Sequence, residues 1–272
     1  GVCERCMGTL QSGHVQQRNH TIHAGDADST QVLYCIAQPL SDCEIDVPEV
    51  TAPGELPSHE VHCQIQQIEA LNHDVSRVWL QLPAGKRVQW HAGQYMMLNL
   101  NGEGFPFSIA NHCDGRRLEL HIRHGDDNSA AQDIMAYLES ASTVSATLPA
   151  GMRFIDSAPE QPVWFICGST GFAPVKAMVE RLIALDFDHP VRLFWGARTP
   201  EDLYLPTLPA QWKMALKDFD FTTALSDIRH PDHAEGLVHE AALAALNEPE
   251  LPLFYLGGSP PMAWAVFDAL VE

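Results

Sequence analysis

Val163-Trp164-Phe165-Ile166-Cys167-Gly168-Ser169-Thr170-Gly171-Phe172-Ala173-Pro174 runs from an unbroken apolar segment through a glycine turn to a proline. Five consecutive apolar residues, rich in aromatic and β-branched types, read as a strand buried on both faces. Beyond Pro174 the apolar positions 175, 178, 179, 182 and 183 recur near a 3.6-residue period, which predicts a helix to about Leu185. Glycines in the turn let the backbone bend tightly and approach a ligand, and the helix N-terminus offers free amides to a phosphate. A merely tight α/β turn has the same residues, so this loop alone leaves both readings open.

Toward the C-terminus the pattern repeats. Val191-Arg192-Leu193-Phe194-Trp195-Gly196, Phe219-Asp220-Phe221-Thr222-Thr223 and Leu253-Phe254-Tyr255-Leu256 read as strands, with a helix around 237–246. Strands alternating with helices imply βαβ crossovers and a mainly parallel sheet, whose ligands bind beyond the carboxyl ends of the strands. Two further strand ends carry glycine: Gly196-Ala197-Arg198-Thr199, and Gly257-Gly258-Ser259-Pro260-Pro261-Met262. Arg198 is placed to meet a phosphate or ribose, or simply to be solvated.

Toward the N-terminus the rhythm shortens. Val78–Leu82, Tyr95–Leu100 and Leu118–Arg123 alternate in hydrophobicity, and turns at Pro83-Ala84-Gly85, Asn101-Gly102 and Asp114-Gly115 separate them. Short strands at this spacing predict a closed or sandwiched all-β unit. Within it, Phe105-Pro106-Phe107-Ser108 offers an aromatic ring to stack on a planar group and a hydroxyl to reach a ring nitrogen, or else a core Phe beside a strand Ser. The prolines of 48–58 mark a linker. The chain therefore divides into 1–47, the linker 48–58, an antiparallel β-barrel over 59–158 and an α/β parallel-sheet domain over 159–272.

Composition narrows the class. Of 272 residues, 46% are hydrophobic and 19% charged, the balance of a globular protein. No apolar run is long enough to span a membrane, and no signal peptide is visible. With 16 basic against 35 acidic residues the net charge is −19, which repels nucleic acid and suits a basic protein partner, or only solubility. Seven cysteines, four of them (Cys3, Cys6, Cys35 and Cys43) toward the N-terminus and three scattered singly, fit a reducing compartment such as the cytoplasm better than a disulfide framework.

Residues 62–272 resemble the ferredoxin–NADP reductase superfamily, most closely its flavin-reductase and oxygenase-reductase branches. The resemblance rests on Ala92-Gly93-Gln94-Tyr95, Pro106-Phe107-Ser108, Glu119-Leu120-His121-Ile122-Arg123, Pro149-Ala150-Gly151, the Gly168–Pro174 loop, Trp195-Gly196-Ala197-Arg198 and Gly258-Ser259-Pro260-Pro261-Met262, all in the family's order. It implies a flavin, FAD or FMN, held by Pro106 and Phe107, with Ser108 near the atom that takes hydride. His121, Ile122 and Arg123 touch the flavin with main-chain groups, and Ser129 or its neighbours approach its phosphate. It implies NAD(P)H on Gly168, Ser169, Thr170 and Gly171, with Arg198, Gly258, Pro260 and Met262 completing that site. Three departures stand out: Phe105 replaces the arginine that usually pairs with the flavin phosphate, Gly257 replaces a frequent cysteine, and the chain stops short of the usual C-terminal strand.

The first segment resembles part of a plant-type [2Fe–2S] ferredoxin in a partial β-grasp fold, with Cys3, Cys6 and Cys35 matching three of its four cluster cysteines. The fourth falls upstream of Gly1, so the chain reads as a piece of a longer protein, or the segment as a clusterless remnant. The function this implies is electron flow from NAD(P)H through flavin to a [2Fe–2S] centre and an external redox partner, such as an oxygenase. A free-flavin reductase and a non-catalytic relative are the alternatives.

Overall fold

The structure, a computed structural model, describes residues 7–26, 30–34, 36–47, 56–246 and 251–271. The chain forms two compact units, Gly1–Glu55 and Leu56–Glu272.

In the first unit, β1 (Met7–Ser12), β2 (His14–Gln17), β3 (His20–His23), β4 (Gln31–Leu33), β5 (Ala37–Pro39) and β6 (Glu44–Asp46) make two three-stranded antiparallel sheets. Their orders are β4-β1-β6 and β3-β2-β5, over a small core of Leu10, Val15 and Val32. The three expected cluster ligands, Cys3, Cys6 and Cys35, lie outside the described residues, as do 48–55 of the linker.

The second unit opens with β7 (His59–Ala70), β8 (Val75–Gln81), β9 (Tyr95–Leu100), β10 (Glu103–Ser108), β11 (Arg117–Arg123) and β12 (Thr143–Ala150), in the order β10-β9-β12-β7-β8-β11. Alternation drives the sheet: Val78 and Leu80, Met96, Leu98 and Leu100, and Leu118, Leu120 and Ile122 all enter one core. The closed barrel expected from sequence is instead a curled, open antiparallel sheet. Its end strands β10 and β11 share no ladder; their neighbourhoods are joined by the bond from Ala110 N–H to Glu119 O (2.7 Å) and by the Asn111 side chain, which accepts from Glu119 N–H and donates to Arg117 O, each at 2.9 Å. Pro106 in β10 lacks a backbone N–H, which suits an edge strand.

Nor is this region all-β. Helix α1 (Ser129–Ser140) packs Ala131, Ile134, Met135 and Leu138 onto the same core, an i, i+3, i+4, i+7 stripe already present in the sequence. The Asn128 side chain caps it, accepting from Ala131 N–H at 3.2 Å.

There follow β13 (Val163–Gly168), α2 (Phe172–Ala184), β14 (Val191–Ala197), α3 (Leu208–Ala215), β15 (Phe219–Leu225), β16 (Ala234–Glu235), α4 (Val238–Ala245), β17 (Leu253–Gly257) and α5 (Pro260–Val271). The sheet is parallel throughout, in the order β16-β15-β14-β13-β17. From β13 the chain winds outward to β14 on one side and places β17 on the other. The switch in winding direction therefore falls at β13, where the Gly168–Gly171 turn emerges. Among the described residues, no helix is long and apolar enough to cross a membrane.

Candidate functional site

A cavity of about 1360 Å³ lies where the open sheet meets the carboxyl ends of β13 and β17. One wall is the edge strand β10, which presents Phe105, Pro106, Phe107 and Ser108. Phe105 and Phe107 are half-buried and lean on the core of the antiparallel sheet, leaving part of each ring to the cavity. Ser108 Oγ has no hydrogen-bond partner among the described residues and is free to bond a ligand.

The floor comes from β11 and α1. His121 and Arg123 line the cavity, but none of the His121 side chain is accessible, so it contributes main chain. Ile122, between them, faces the core. Of the first turn of α1, Asn128, Ala130 and Ala131 reach the cavity whereas Ser129 does not. The amides of Ser129 and Ala130 lie in that turn, where no helical carbonyl can accept them.

The opposite wall is two glycine turns. Gly168, Ser169, Thr170 and Gly171 face Gly257, Gly258 and Pro260. Gly171 and Gly257 are so close that a Cβ on Gly171 would overlap the Gly257 carbonyl. At Gly168 a Cβ would stand 2.7 Å from Met262 Sδ. These glycines therefore serve first to let the two turns nest, and only through that to shape the wall. Met262 packs behind the wall with the core under α5. Ser169 adopts φ +49°, unusual for a residue with a side chain, and its carbonyl accepts from Trp195 Nε1 at 3.2 Å. Arg198 lies outside the cavity, within 3.6 Å of Asp202.

Two guanidiniums reach this cavity. Arg123 is held by Asp74 (Nε to Oδ2, 2.7 Å) and Asp127 (2.9 Å), Asp127 foremost among the contacts that raise its pKa. Arg153 has no ion pair among the described residues. It follows the Pro149-Ala150-Gly151 turn, where sequence reading stopped, beside Phe154, which stacks on His91 at 4.5 Å.

Behind the floor runs a buried polar chain that sequence reading also missed. Glu119 and His121 are fully enclosed on the outer face of β11, with Glu119 Oε1 3.0 Å from His121 Nε2. Burial opposes a charge on Glu119, but its hydrogen bond to His121 and the Lys176 ammonium hold its pKa below the ordinary value. The carboxylate accepts only, so Nε2 carries the proton and His121 Nδ1 accepts from Tyr204 Oη at 3.1 Å. Burial pushes the His121 pKa down, against the pull of Glu119, and the ring stays neutral. Lys176 Nζ, on α2, reaches Glu119 Oε2 (2.8 Å), Glu180 Oε1 (2.7 Å) and the Ala110 carbonyl (3.1 Å).

A cavity between an aromatic–serine edge strand and glycine turns at a parallel-sheet switch point suits a planar ring system on one side and a dinucleotide on the other. Comparison with known proteins agrees. Residues 165–268 match the family described as the oxidoreductase NAD-binding domain. The chain is 30% identical to CDP-6-deoxy-L-threo-D-glycero-4-hexulose-3-dehydrase reductase of Yersinia pestis, over all of this chain and 83% of that protein. It is 28% identical to reductase component 1 of terephthalate 1,2-dioxygenase from a Comamonas species, covering 99% and 81% of the two chains. The crystal structure of the Amycolatopsis cytochrome P450 reductase GcoB superposes with a TM-score of 0.72 at 27% identity, over 100% of this chain and 84% of that one. The chain is an oxidoreductase and belongs to the ferredoxin–NADP reductase superfamily.

Proposed function

We propose that this protein is the reductase of a multicomponent redox system, taking electrons from NAD(P)H through a flavin to a [2Fe–2S] centre and then to a partner protein such as an oxygenase. The observation that carries the reading is the shared cavity. The β10 wall and the two glycine turns open on one space, so a ring against Phe107 and a nicotinamide beside Gly168–Gly171 meet without a domain rearrangement. A flavin, when bound, accepts two electrons as hydride and releases them one at a time, as a cluster and a one-electron partner require. Here Phe107 gives a stacking surface, Ser108 a hydroxyl for the ring edge, the β11 main chain a set of polar contacts, and the α1 first turn the Ala130 amide for a phosphate. The relatives named above are reductases, two of them serving a dioxygenase and a cytochrome P450. The cluster rests on Cys3, Cys6 and Cys35 in the sequence.

A second reading, a reductase that uses flavin as a substrate, is favoured by one feature. Phe105 occupies the wall and the Arg123 guanidinium is already shared by two carboxylates, so among the described residues Arg153 alone is left to anchor a phosphate with a full charge. Absorption spectra of the purified protein, followed during anaerobic NADH addition, separate the two. Flavin and cluster bands that bleach on NADH support the first. Colourless protein that oxidises NADH only with added flavin supports the second. Colourless protein inactive with every flavin refutes both.

A further inference from the structure

We propose that the buried Glu119–Lys176 ion pair, with His121 and Tyr204, is a positioning device that registers the dinucleotide wall of the cavity against its flavin wall. The proposal rests on the reading of this cavity as the place where hydride passes. The two walls belong to sheets that share no ladder among the described residues, so their spacing is set by side-chain contacts. Glu119 lies two residues before His121, whose main chain is cavity floor, and Lys176 lies five residues after Gly171 on the helix that leaves the glycine turn. Their bond of 2.8 Å is sealed from water at the Glu119 end and nearly so at Lys176, 9% exposed.

A parallel route ends on the same turn. His121 bonds Tyr204, whose ring meets Phe172 and Trp195 edge-on, at 5.7 and 5.3 Å. Trp195 then donates to the Ser169 carbonyl and holds that residue in its left-handed conformation. Burying two charges contributes little net stability compared with apolar neighbours of the same volume, yet the ions fix one geometry where apolar contacts tolerate sliding. No residue of the chain need touch the reacting atoms for this role.

Two variants test it in the full-length protein, by stopped-flow flavin reduction with NADH, flavin titration and thermal melting. Lys176→Met leaves the Glu119 carboxylate buried without its main counter-charge, so both melting temperature and reduction rate fall. Glu119→Gln with Lys176→Met removes both charges and keeps a hydrogen bond to His121, while Arg77, 3.7 Å from Glu119 Oε1, retains Glu69 at 2.6 Å and the partly exposed Glu180 is left to solvent. The double variant is expected to regain the melting temperature and to bind flavin as the wild type does, yet to reduce it at least tenfold more slowly at saturating NADH. If the rate returns with the melting temperature, the pair is structural only and the proposal is overturned. A wild type that binds flavin but takes no hydride from NADH overturns the functional reading and this inference together, whereas a competent wild type with a competent double variant overturns this inference alone.

Discussion

Replacing Phe105 with arginine tests whether the cavity wall is a flavin site with a weakened anchor. Phe105 is half-buried on the edge strand β10, opposite Leu98 of β9, and lines the same cavity as Ala130 in the first turn of α1. A guanidinium there gains a charge-assisted bond to a flavin phosphate, worth about 1.5–3 kcal/mol, or roughly one to two orders of magnitude in affinity. Losing half the burial of a phenyl ring costs about 1 kcal/mol of stability, part of which the arginine stem recovers. The fold should therefore survive with a melting temperature lower by about 2–4 °C. Isothermal titration calorimetry with riboflavin, FMN and FAD is the assay. The expected result is a tenfold or greater gain for FMN and FAD, little change for riboflavin, and a smaller gain at high salt because the contact is partly exposed. An equal gain for all three ligands would show that arginine acts through packing, and binding of none before or after the change would refute the flavin assignment of this wall.

Three further outcomes follow from the same geometry. Ser108→Ala should leave flavin affinity near wild type but slow flavin reduction about fivefold or more, since one oriented bond is worth about 1 kcal/mol at such a site; reduction at wild-type speed in a stopped-flow trace rules the role out. Gly171→Ala forces a methyl onto the Gly257 carbonyl and spreads the two turns, an overpacking of about 1–3 kcal/mol that should raise the NADH dissociation constant while flavin affinity holds; unchanged NADH binding in the folded variant contradicts the placement. His121 has a folded pKa below its ordinary 6.5, so below that pH the unfolded chain takes up a proton that the folded one refuses, and stability falls with the pH. Melting temperatures from about pH 7 to about pH 5 should drop less steeply in His121→Gln than in the wild type, and parallel slopes would refute a buried neutral ring.

How much of this was legible beforehand depends on where each signal resides. The parallel half was readable because strands covered on both faces become continuous apolar runs, as Val163–Cys167 shows, and because glycine marks their ends. The nesting of Gly171 against Gly257 was not, since their closeness belongs to two turns about 86 residues apart in the chain, and spacing alone cannot register them. In the antiparallel half, β11 misled. Leu118-Glu119-Leu120-His121-Ile122-Arg123 alternates as a strand with one face in water, yet Glu119 and His121 are as buried as the leucines because α2 and Tyr204 cover that face. Lys176 was hidden in the same way, as one charge in a helical stripe whose neighbours at 175, 178 and 179 plainly face a core. Each member of the pair thus looks like surface in its own element. Only the packing of α2 on β11 turns two apparent surface charges into a buried contact, and a contact created by that packing is well placed to govern it.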